Sequence, residues 1–353
     1  MAGNAEAGTV LTREERIEGA LLGLFVGDAL GLGYHWYYDL NLLEHDVGSW
    51  VTDYLDPVVK SEHGCRHISQ YRLIQGLRAG NYSQTGQILF LLLESIVEQQ
   101  CLDTAAFGCR LDELLSELNG EALSGRYSEG IVRDIWQKRQ QGITWNALEL
   151  PSHADTSLGA QLCAVLALLY GDPRLLAEAA DRLLQVFYRD LYLRACQLVY
   201  ALTVQPLIQG TTLAELSETI TSMSGNQEVM NRVGSYGSLQ QPGLGQIAER
   251  PEMVSVEPAK YISLVFGLDC QVTHLLPAAY YLFYRYPDSF EMAILSASNG
   301  GGENVARAAL TGALAGALHG VNAIPERFLH KLENGTSIRS YAQALAPLSA
   351  AKV

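Results

Sequence analysis

Two rows of glycines at four-residue spacing constrain the fold of this chain more than any other feature. One row runs from Gly19 to Gly31 and the other from Gly312 to Gly320. Residues four positions apart lie on the same side of a helix. Each helical glycine costs about 1 kcal/mol relative to alanine, so such a row is hard to explain unless another backbone packs closely against it. The spacing therefore predicts two helices that meet through their glycine sides at the centre of the fold.

The rest of the pattern is helical. Thr12 and Glu15 form a capping box that opens a helix running to about Gly31. Apolar residues at three- and four-residue steps recur through residues 102–139 and 156–236, and no alternating strand pattern of useful length occurs. We predict an all-α, single-domain fold over residues 1–353, with disordered tails at 1–11 and 349–353 and one long loop at 234–258.

Composition narrows the classes of partner and compartment. The formal net charge is −14 and 48% of residues are hydrophobic, which argues against nonspecific nucleic-acid binding and attraction to an anionic membrane. The six cysteines form no CxxC pair, which is typical of a reducing compartment. We see no signal peptide and no uninterrupted apolar run of about 18 residues. We therefore expect a cytoplasmic protein without a nucleic-acid or membrane partner.

Aromatic residues crowd together just past the first helix, where His35, Trp36, Tyr37, Tyr38 and Asp39 are consecutive. One interpretation is an aromatic plug that seals the helix end. The other is a stacking wall that carries an acid/base group, because tyrosine, tryptophan and histidine combine an apolar ring with a polar tip.

Three other segments are candidates for chemistry. The polar residues from Asn81 to Gln87 either cap a helix or line a pocket. The turn at residues 300–304 offers backbone N–H groups to an anion, although Glu303 could instead complete the helix cap. Arg307 either pairs with Glu303 one turn away or binds phosphate. We interpret the run from His63 to His67 as a polar loop rather than a metal site.

Two longer stretches of the sequence resemble the motifs of a known family. GALLGLFVGDALG at residues 19–31 and GGENVARAALTGALAGALHG at residues 301–320 resemble the ADP-ribosylglycohydrolase family, and the resemblance extends across essentially the whole chain. It implies a single all-α domain with a central cleft that holds ADP-ribose, and usually two Mg²⁺ ions.

The metal motifs of that family are altered in this chain. The Thr-Asp-Asp-Thr motif falls on residues 83–86, which read Ser-Gln-Thr-Gly, and the Gly-Gly-Asp-x-Asp-Thr motif falls on residues 301–306, where only Glu303 is acidic. The acidic residue that many members carry seven positions after Asp28 falls on His35. Because two Mg²⁺ ions need several carboxylates, we predict that the chain has no metal ligands and no Mg²⁺ cofactor.

A narrower branch of the family matches the altered motifs. The J-type crystallins and selenoprotein J resemble this chain in a His-Trp-x-Tyr-Asp run, here residues 35–39, and in a Gly-Gly-acid-Asn-x-x-Arg run, here residues 301–307. The branch is not securely tied to a reaction, so its members leave both an enzyme and a structural protein open.

Three functions therefore compete. The first is hydrolysis of a glycosidic bond in an ADP-ribose or nucleoside-like substrate, with His35 and Glu303 as catalytic residues. The second is an inactive protein that binds ADP-ribose or a nucleotide, and the third is a crystallin-like structural protein. For the first two we expect a small-molecule or ADP-ribosylated ligand, with these substrate-binding residues: Trp36, Tyr82, Ser83, Gln84, Thr85, Gln87, Gly301, Gly302, Asn304 and Arg307.

Overall fold

The computed structural model describes residues 11–61, 66–118, 125–126, 129–148, 155–234, 250 and 255–350, with the backbone alone at 349 and 350. The first helices are α1 (Arg13–Leu32), α2 (Leu40–Asp46), α3 (Arg66–Ile74), α4 (Gln84–Gln99), α5 (Thr104–Glu117), α6 (Gly130–Gln140), α7 (Leu158–Leu169), α8 (Pro173–Phe187) and α9 (Leu191–Ile208). The remaining helices are α10 (Leu213–Ser222), α11 (Gln227–Val233), α12 (Ile262–Phe266), α13 (Val272–Arg285), α14 (Phe290–Ser298), α15 (Asn304–His319), α16 (Glu326–Lys331) and α17 (Gly335–Ala350).

Several sequence predictions fall largely outside the described residues. They are the N-terminal tail, the end of the C-terminal tail, residues 63–65 of the predicted polar loop, and most of the loop predicted at 234–258. Within the described part of the chain the regular structure is helical, with one isolated antiparallel bridge between Thr156 and Gln271. The all-α prediction is confirmed.

Helix α1 begins where the sequence predicts. The Thr12 hydroxyl accepts a hydrogen bond from the Glu15 N–H at 3.1 Å, and the Thr12 N–H donates to the Glu15 carboxylate at 2.8 Å. These reciprocal bonds satisfy two N–H groups at the helix start that would otherwise lack partners. The helix ends at Leu32, one residue beyond the predicted end.

The glycine rows pack helices α1 and α15 against each other. A Cβ atom placed on Gly23 would lie 2.2 Å from the carbonyl oxygen of Gly312, and one placed on Gly19 would lie 2.4 Å from that of Gly316. Further along, the partner of Gly27 is Ala308 rather than a glycine. The predicted contact is therefore confirmed, and it runs antiparallel along the helices instead of being confined to one crossing point.

In the aromatic segment after α1, some residues act as the predicted plug and others line a cavity. Tyr34 and Tyr37 are buried and pack with Leu43 in a small apolar cluster, as expected for a plug. Tyr38 is half exposed and lies, with Trp36, at the cavity described below. The next residue, Asp39, caps α2 by accepting a hydrogen bond from the Asn41 N–H at 2.8 Å. That short helix was not predicted from the sequence.

Helix α9 lies in the core. By length and composition Leu191–Ile208 could cross a membrane, but 83% of it is buried inside the protein. A hydrogen bond of 2.7 Å from the Tyr200 hydroxyl to the Leu310 carbonyl links α9 to α15. Such burial is typical of a core helix in a globular protein, which can be as long and as apolar as a membrane-spanning helix.

Candidate active site

The N-terminal ends of four helices meet at one cavity of about 180 Å³. Helices α4, α6, α7 and α15 each contribute residues from their first turn or from the residue just before it. The lining comprises His35, Trp36, Tyr38, Ser83, Thr85, Arg126, Glu129, Gly130, Thr156, Ser157, Gln161, Cys270, Glu303, Val305 and Ala306. Because helix N-termini carry partial positive charge, this arrangement favours carboxylates at the cavity wall.

Five of the residues expected at a site lie together on this lining. They are His35, Trp36, Ser83, Thr85 and Glu303, which come from three separate parts of the sequence. The other seven are not among the lining residues: Tyr82, Gln84, Gln87, Gly301, Gly302, Asn304 and Arg307.

Glu303 is held by two hydrogen-bonding neighbours from the aromatic segment. The Trp36 indole N–H donates to Glu303 Oε2 at 2.7 Å, and His35 Nε2 lies 3.3 Å from Glu303 Oε1. Burial by itself raises the pKa of this carboxyl group, but the charge of His35 and the hydrogen bonds outweigh it, so the pKa is lowered overall. Glu303 therefore stays ionised near neutral pH.

Asn304 orients the His35 ring. The Asn304 amide nitrogen donates to the Gly31 carbonyl at 3.2 Å, which leaves its Oδ1 to face His35 Nδ1 at 2.7 Å. Oδ1 can only accept, so Nδ1 carries the proton of this hydrogen bond, and Nε2 faces the Glu303 carboxylate. Both ring nitrogens of His35 are therefore directed at protein side chains, an arrangement suited to positioning Glu303, and a catalytic role for His35 itself stays a prediction.

Glu129 is an acidic residue at the cavity that the sequence analysis missed. The Thr85 hydroxyl donates to Glu129 Oε1 at 2.9 Å, whereas Oε2 is buried without a hydrogen-bond partner. Burial raises the pKa of Glu129 to about 7, helped by the charges of Glu303 and Asp28 and only partly offset by the hydroxyls of Thr156 and Thr85. A sizeable fraction of Glu129 is consequently protonated at neutral pH.

Asp28 lies behind the cavity lining and is hydrogen-bonded to Ser83, which is part of that lining. Its carboxyl group is fully buried and accepts from the Ser83 N–H at 2.5 Å and from the Ser83 hydroxyl at 2.6 Å. Burial raises its pKa to about 6 against the opposing effect of the Ser83 hydrogen bonds. Since Ser83 caps α4, Asp28 holds in place the helix start that presents Thr85 to Glu129.

The anion site expected at the glycine turn needs correction. The Gly302 N–H donates to the Tyr37 carbonyl at 2.7 Å, and the Glu303 N–H donates to the Leu268 carbonyl at 2.8 Å. These donors are therefore occupied by protein carbonyls. A Cβ atom on Gly301 would lie 2.7 Å from the Tyr37 carbonyl oxygen, which explains why glycine is needed there for packing.

Arg307 also has a structural role instead of contacting the cavity. Its guanidinium group is fully buried and donates to the Ala297 carbonyl at 3.0 Å and to the Gly301 carbonyl at 2.6 Å. The arginine thereby ties the end of α14 to the turn before α15. Its Nη1 atom is buried without a partner, and burial lowers its pKa to about 10.

The residues around Ser83 that do not line the cavity point into the protein. The Tyr82 ring packs edge-on against Phe25, and its hydroxyl accepts from the Asn334 amide at 2.8 Å. Gln84 is 1% exposed, and neither of its amide atoms has a hydrogen-bond partner. Gln87 likewise has a buried Oε1 atom without one.

Arg126 is the one arginine or lysine on the described cavity lining. Its guanidinium group forms two hydrogen bonds with the Glu333 carboxylate, at 2.8 and 2.7 Å. It also bonds to the Tyr82 carbonyl and lies over the Tyr82 ring. Arg126 thus links the cavity wall to the segment before α17, and its charge is largely compensated there.

The donor set at the cavity does not fit a pair of Mg²⁺ ions. Both oxygens of Glu303 are engaged by Trp36 and His35, and Oε1 of Glu129 accepts from Thr85, so one carboxyl oxygen of this pair of residues is without a partner. Two Mg²⁺ ions require several ionised oxygen ligands in octahedral geometry. Among the described residues no group of three or more metal-binding side chains occurs.

Comparisons with known proteins agree with the fold. A model of the ADP-ribosylglycohydrolase family matches residues 9–352. An uncharacterised protein of Archaeoglobus fulgidus is 26% identical over 335 residues, covering 95% of this chain and 97% of that relative. A solved structure described as an ADP-ribosylglycohydrolase-related protein complex superposes with a TM-score of 0.66 and 21% identity, covering 96% of this chain and 99% of the other. That level of identity supports a shared fold alone.

Proposed function

Because the chain belongs to the ADP-ribosylglycohydrolase family, we propose that its cavity hydrolyses the glycosidic bond of an ADP-ribose or nucleoside-like substrate without a Mg²⁺ pair. Glu129 is the general acid and Glu303 is the anionic carboxylate. His35 and Asn304 position Glu303 and do not themselves contact the reacting atoms. We assign the chain to the branch of J-type crystallins and selenoprotein J on its altered motifs, and we propose a cytoplasmic location.

One observation carries this proposal: two partly buried carboxyl groups line the same cavity and have pKa values shifted in opposite directions. The pKa of Glu129 is raised to about 7, whereas that of Glu303 is lowered. At neutral pH one group can donate a proton while the other remains charged. Glycosidases divide the same two roles between a pair of carboxyl groups.

The proposed reaction follows from these protonation states. Glu129 gives its proton to the leaving atom as the bond to the ribosyl C1 breaks. The ionised Glu303 carboxylate stabilises the positive charge that develops on the ring. Water then adds to C1, and the proton that it releases restores the acid form of Glu129.

The experiment is release of free sugar from a panel of ADP-ribosylated peptides and nucleosides in Mg²⁺-free buffer. For any substrate that is turned over, Glu129→Gln should lower kcat by about 100-fold or more, because a general acid contributes about 10²- to 10⁴-fold. Glu303→Gln should be comparably impaired. Glu98→Gln, which changes an exposed glutamate paired with Arg110 away from the cavity, is the matched control.

Two outcomes would overturn the proposal. One is full activity in both Glu129→Gln and Glu303→Gln. The other is turnover that depends on added Mg²⁺. If the whole panel is inert while the ligands still raise the melting temperature, the binding function is favoured instead.

A further inference from the structure

The proposed hydrolase leaves open which form of ribosyl group the cavity accepts, and the following inference rests on that function. The cavity volume of about 180 Å³ lies below the range of about 300–1,000 Å³ that encloses drug-sized ligands. The enclosed part of a substrate is therefore on the scale of one sugar ring.

The charges at the cavity are unfavourable for phosphate. The ionisable side chains of the described lining include the carboxyl groups of Glu129 and Glu303, and its single arginine is Arg126. Arg126 is already bonded to Glu333 through two hydrogen bonds. A phosphate group would have to displace the Glu333 carboxylate from this cation.

The helix N-termini at the cavity are compensated as well. Asp28 accepts from Ser83 at the start of α4, Glu129 precedes α6, and Glu303 precedes α15. Helix N-termini bind phosphate when their N–H groups and partial positive charge face the ligand. Here a carboxyl group of the protein lies at three of the four helix starts.

Two residues of the lining, Glu129 and Gln161, carry polar atoms without a hydrogen-bond partner. Glu129 Oε2 is buried without a hydrogen-bond partner, and so is Oε1 of Gln161, a residue that is 1% exposed. Gln161 Oε1 can only accept, and a protonated Glu129 can donate. With the hydroxyls of Thr156 and Ser157 on the same lining, these atoms are complementary to the hydroxyl groups of a neutral sugar.

We infer that the cavity selects a ribosyl group without phosphate and excludes 5′-phosphorylated and diphosphate-linked forms of the same group. This specificity follows from the compensated cations and helix starts together with the unpartnered donor and acceptor. It differs from recognition of a whole ADP-ribose unit, whose diphosphate would meet the ionised Glu303 carboxylate without an available cation on the described lining.

A series that shares one scissile bond, and whose leaving purine can accept the proton of Glu129 at a ring nitrogen, tests the inference: the adenine riboside adenosine, its 5′-phosphate and its 5′-diphosphate. We expect kcat/KM for the riboside to exceed that for the 5′-phosphate by about tenfold or more, since like charges at a binding site are strongly selected against. Equal or better turnover of the phosphorylated forms would overturn the inference but leave the hydrolase function intact.

Binding measurements decide the inference even if no member of the series is hydrolysed. In calorimetric titrations ribose should bind and ribose 5-phosphate should bind at least about tenfold more weakly. Tighter binding of ribose 5-phosphate, or no binding of either sugar, would contradict it. Failure of turnover together with selective binding of ribose would remove the hydrolase function alone.

Two variants test the cause of the selectivity. Glu333→Gln releases Arg126 from its carboxylate partner, and Glu303→Gln removes a negative charge from the lining. Both should narrow the difference in affinity between ribose and ribose 5-phosphate, whereas Glu98→Gln should leave it unchanged. If neither variant narrows the difference while both retain native-like melting curves, the charge argument is wrong.

Discussion

The Nδ1 atom of His35 lies 2.7 Å from the Oδ1 atom of Asn304, and this contact directs the other ring nitrogen toward Glu303. The contact joins the segment after α1 to the first residue of α15. Because of this contact, His35 lies on the cavity lining and yet acts by positioning Glu303.

Replacing Asn304 should therefore affect Glu303 through His35. In Asn304→Leu the ring loses its acceptor, so His35 is no longer held beside Glu303 and the lowered pKa of Glu303 rises toward its ordinary value. We expect kcat to fall about 10- to 100-fold, the range seen when groups that orient a functional residue are removed. The acid limb of the pH profile should also move to higher pH. A loss of activity with an unchanged acid limb would indicate a purely structural role.

The pH dependence of the reaction should reflect Glu129. Its acid form is required, and its pKa is about 7, so kcat/KM should decline as the pH rises above about 7. Glu303 must be ionised, and its pKa is lowered, so activity should persist on the acidic side of neutrality. The residual activity of Glu129→Gln should lack the alkaline decline. An alkaline limb that persists in this variant would assign the proton to another group.

Asp28 should make the protein less stable as the pH rises. Its folded-state pKa of about 6 lies above the ordinary value of 3.8, so the folded state binds more protons between these values. The stabilisation is complete below pH 3.8 and is lost as the pH rises through about 6, by about 3 kcal/mol in all. The difference in unfolding free energy between wild type and Asp28→Asn, measured by denaturant titration, should change in this window. A constant difference would contradict the buried, titrating carboxyl group.

The contact between Gly23 and Gly312 should not tolerate a methyl group. In Gly23→Ala or Gly312→Ala the new Cβ would meet a backbone carbonyl oxygen of the facing helix at about 2 Å. Helix propensity favours alanine by about 1 kcal/mol, but overpacking of a backbone contact should reverse this and destabilise the fold by about 3 kcal/mol. Gly225→Ala, where a Cβ would meet nothing within 4 Å, is the control. Denaturant midpoints that match the control would refute the tight contact.

Magnesium should have little effect on this protein. If two Mg²⁺ ions bound tightly, a concentration 100-fold above the dissociation constant would stabilise the fold by about 2.7 kcal/mol per site. We expect the same melting temperature in EDTA and in millimolar Mg²⁺. Two tight equivalents in a calorimetric titration would show that our reading of the donor set is wrong.

The glycine contact was predictable because its spacing matches the helical period and its cause is local to each helix. Glu129 was not, since a single glutamate before a helix looks like any surface residue until Thr85 and the cavity surround it. The prediction of an anion site at the glycine turn was wrong for a related reason. Its N–H groups bond to carbonyls of Tyr37 and Leu268, and only the folded chain brings these carbonyls to the turn.

The pairing of α1 with α15 also bears on the order in which the chain folds. The stripe of exposed backbone that the glycine row forms on α1 is synthesised early. The helix that packs against it, α15, lies near the other end of the chain. Contacts between such distant segments pay a large loop-closure entropy and slow folding. A nascent chain that ends before Gly300 would keep that stripe uncovered, and α15, whose start carries Glu303, would be missing. Completion of the cavity and completion of the core are therefore one and the same late event.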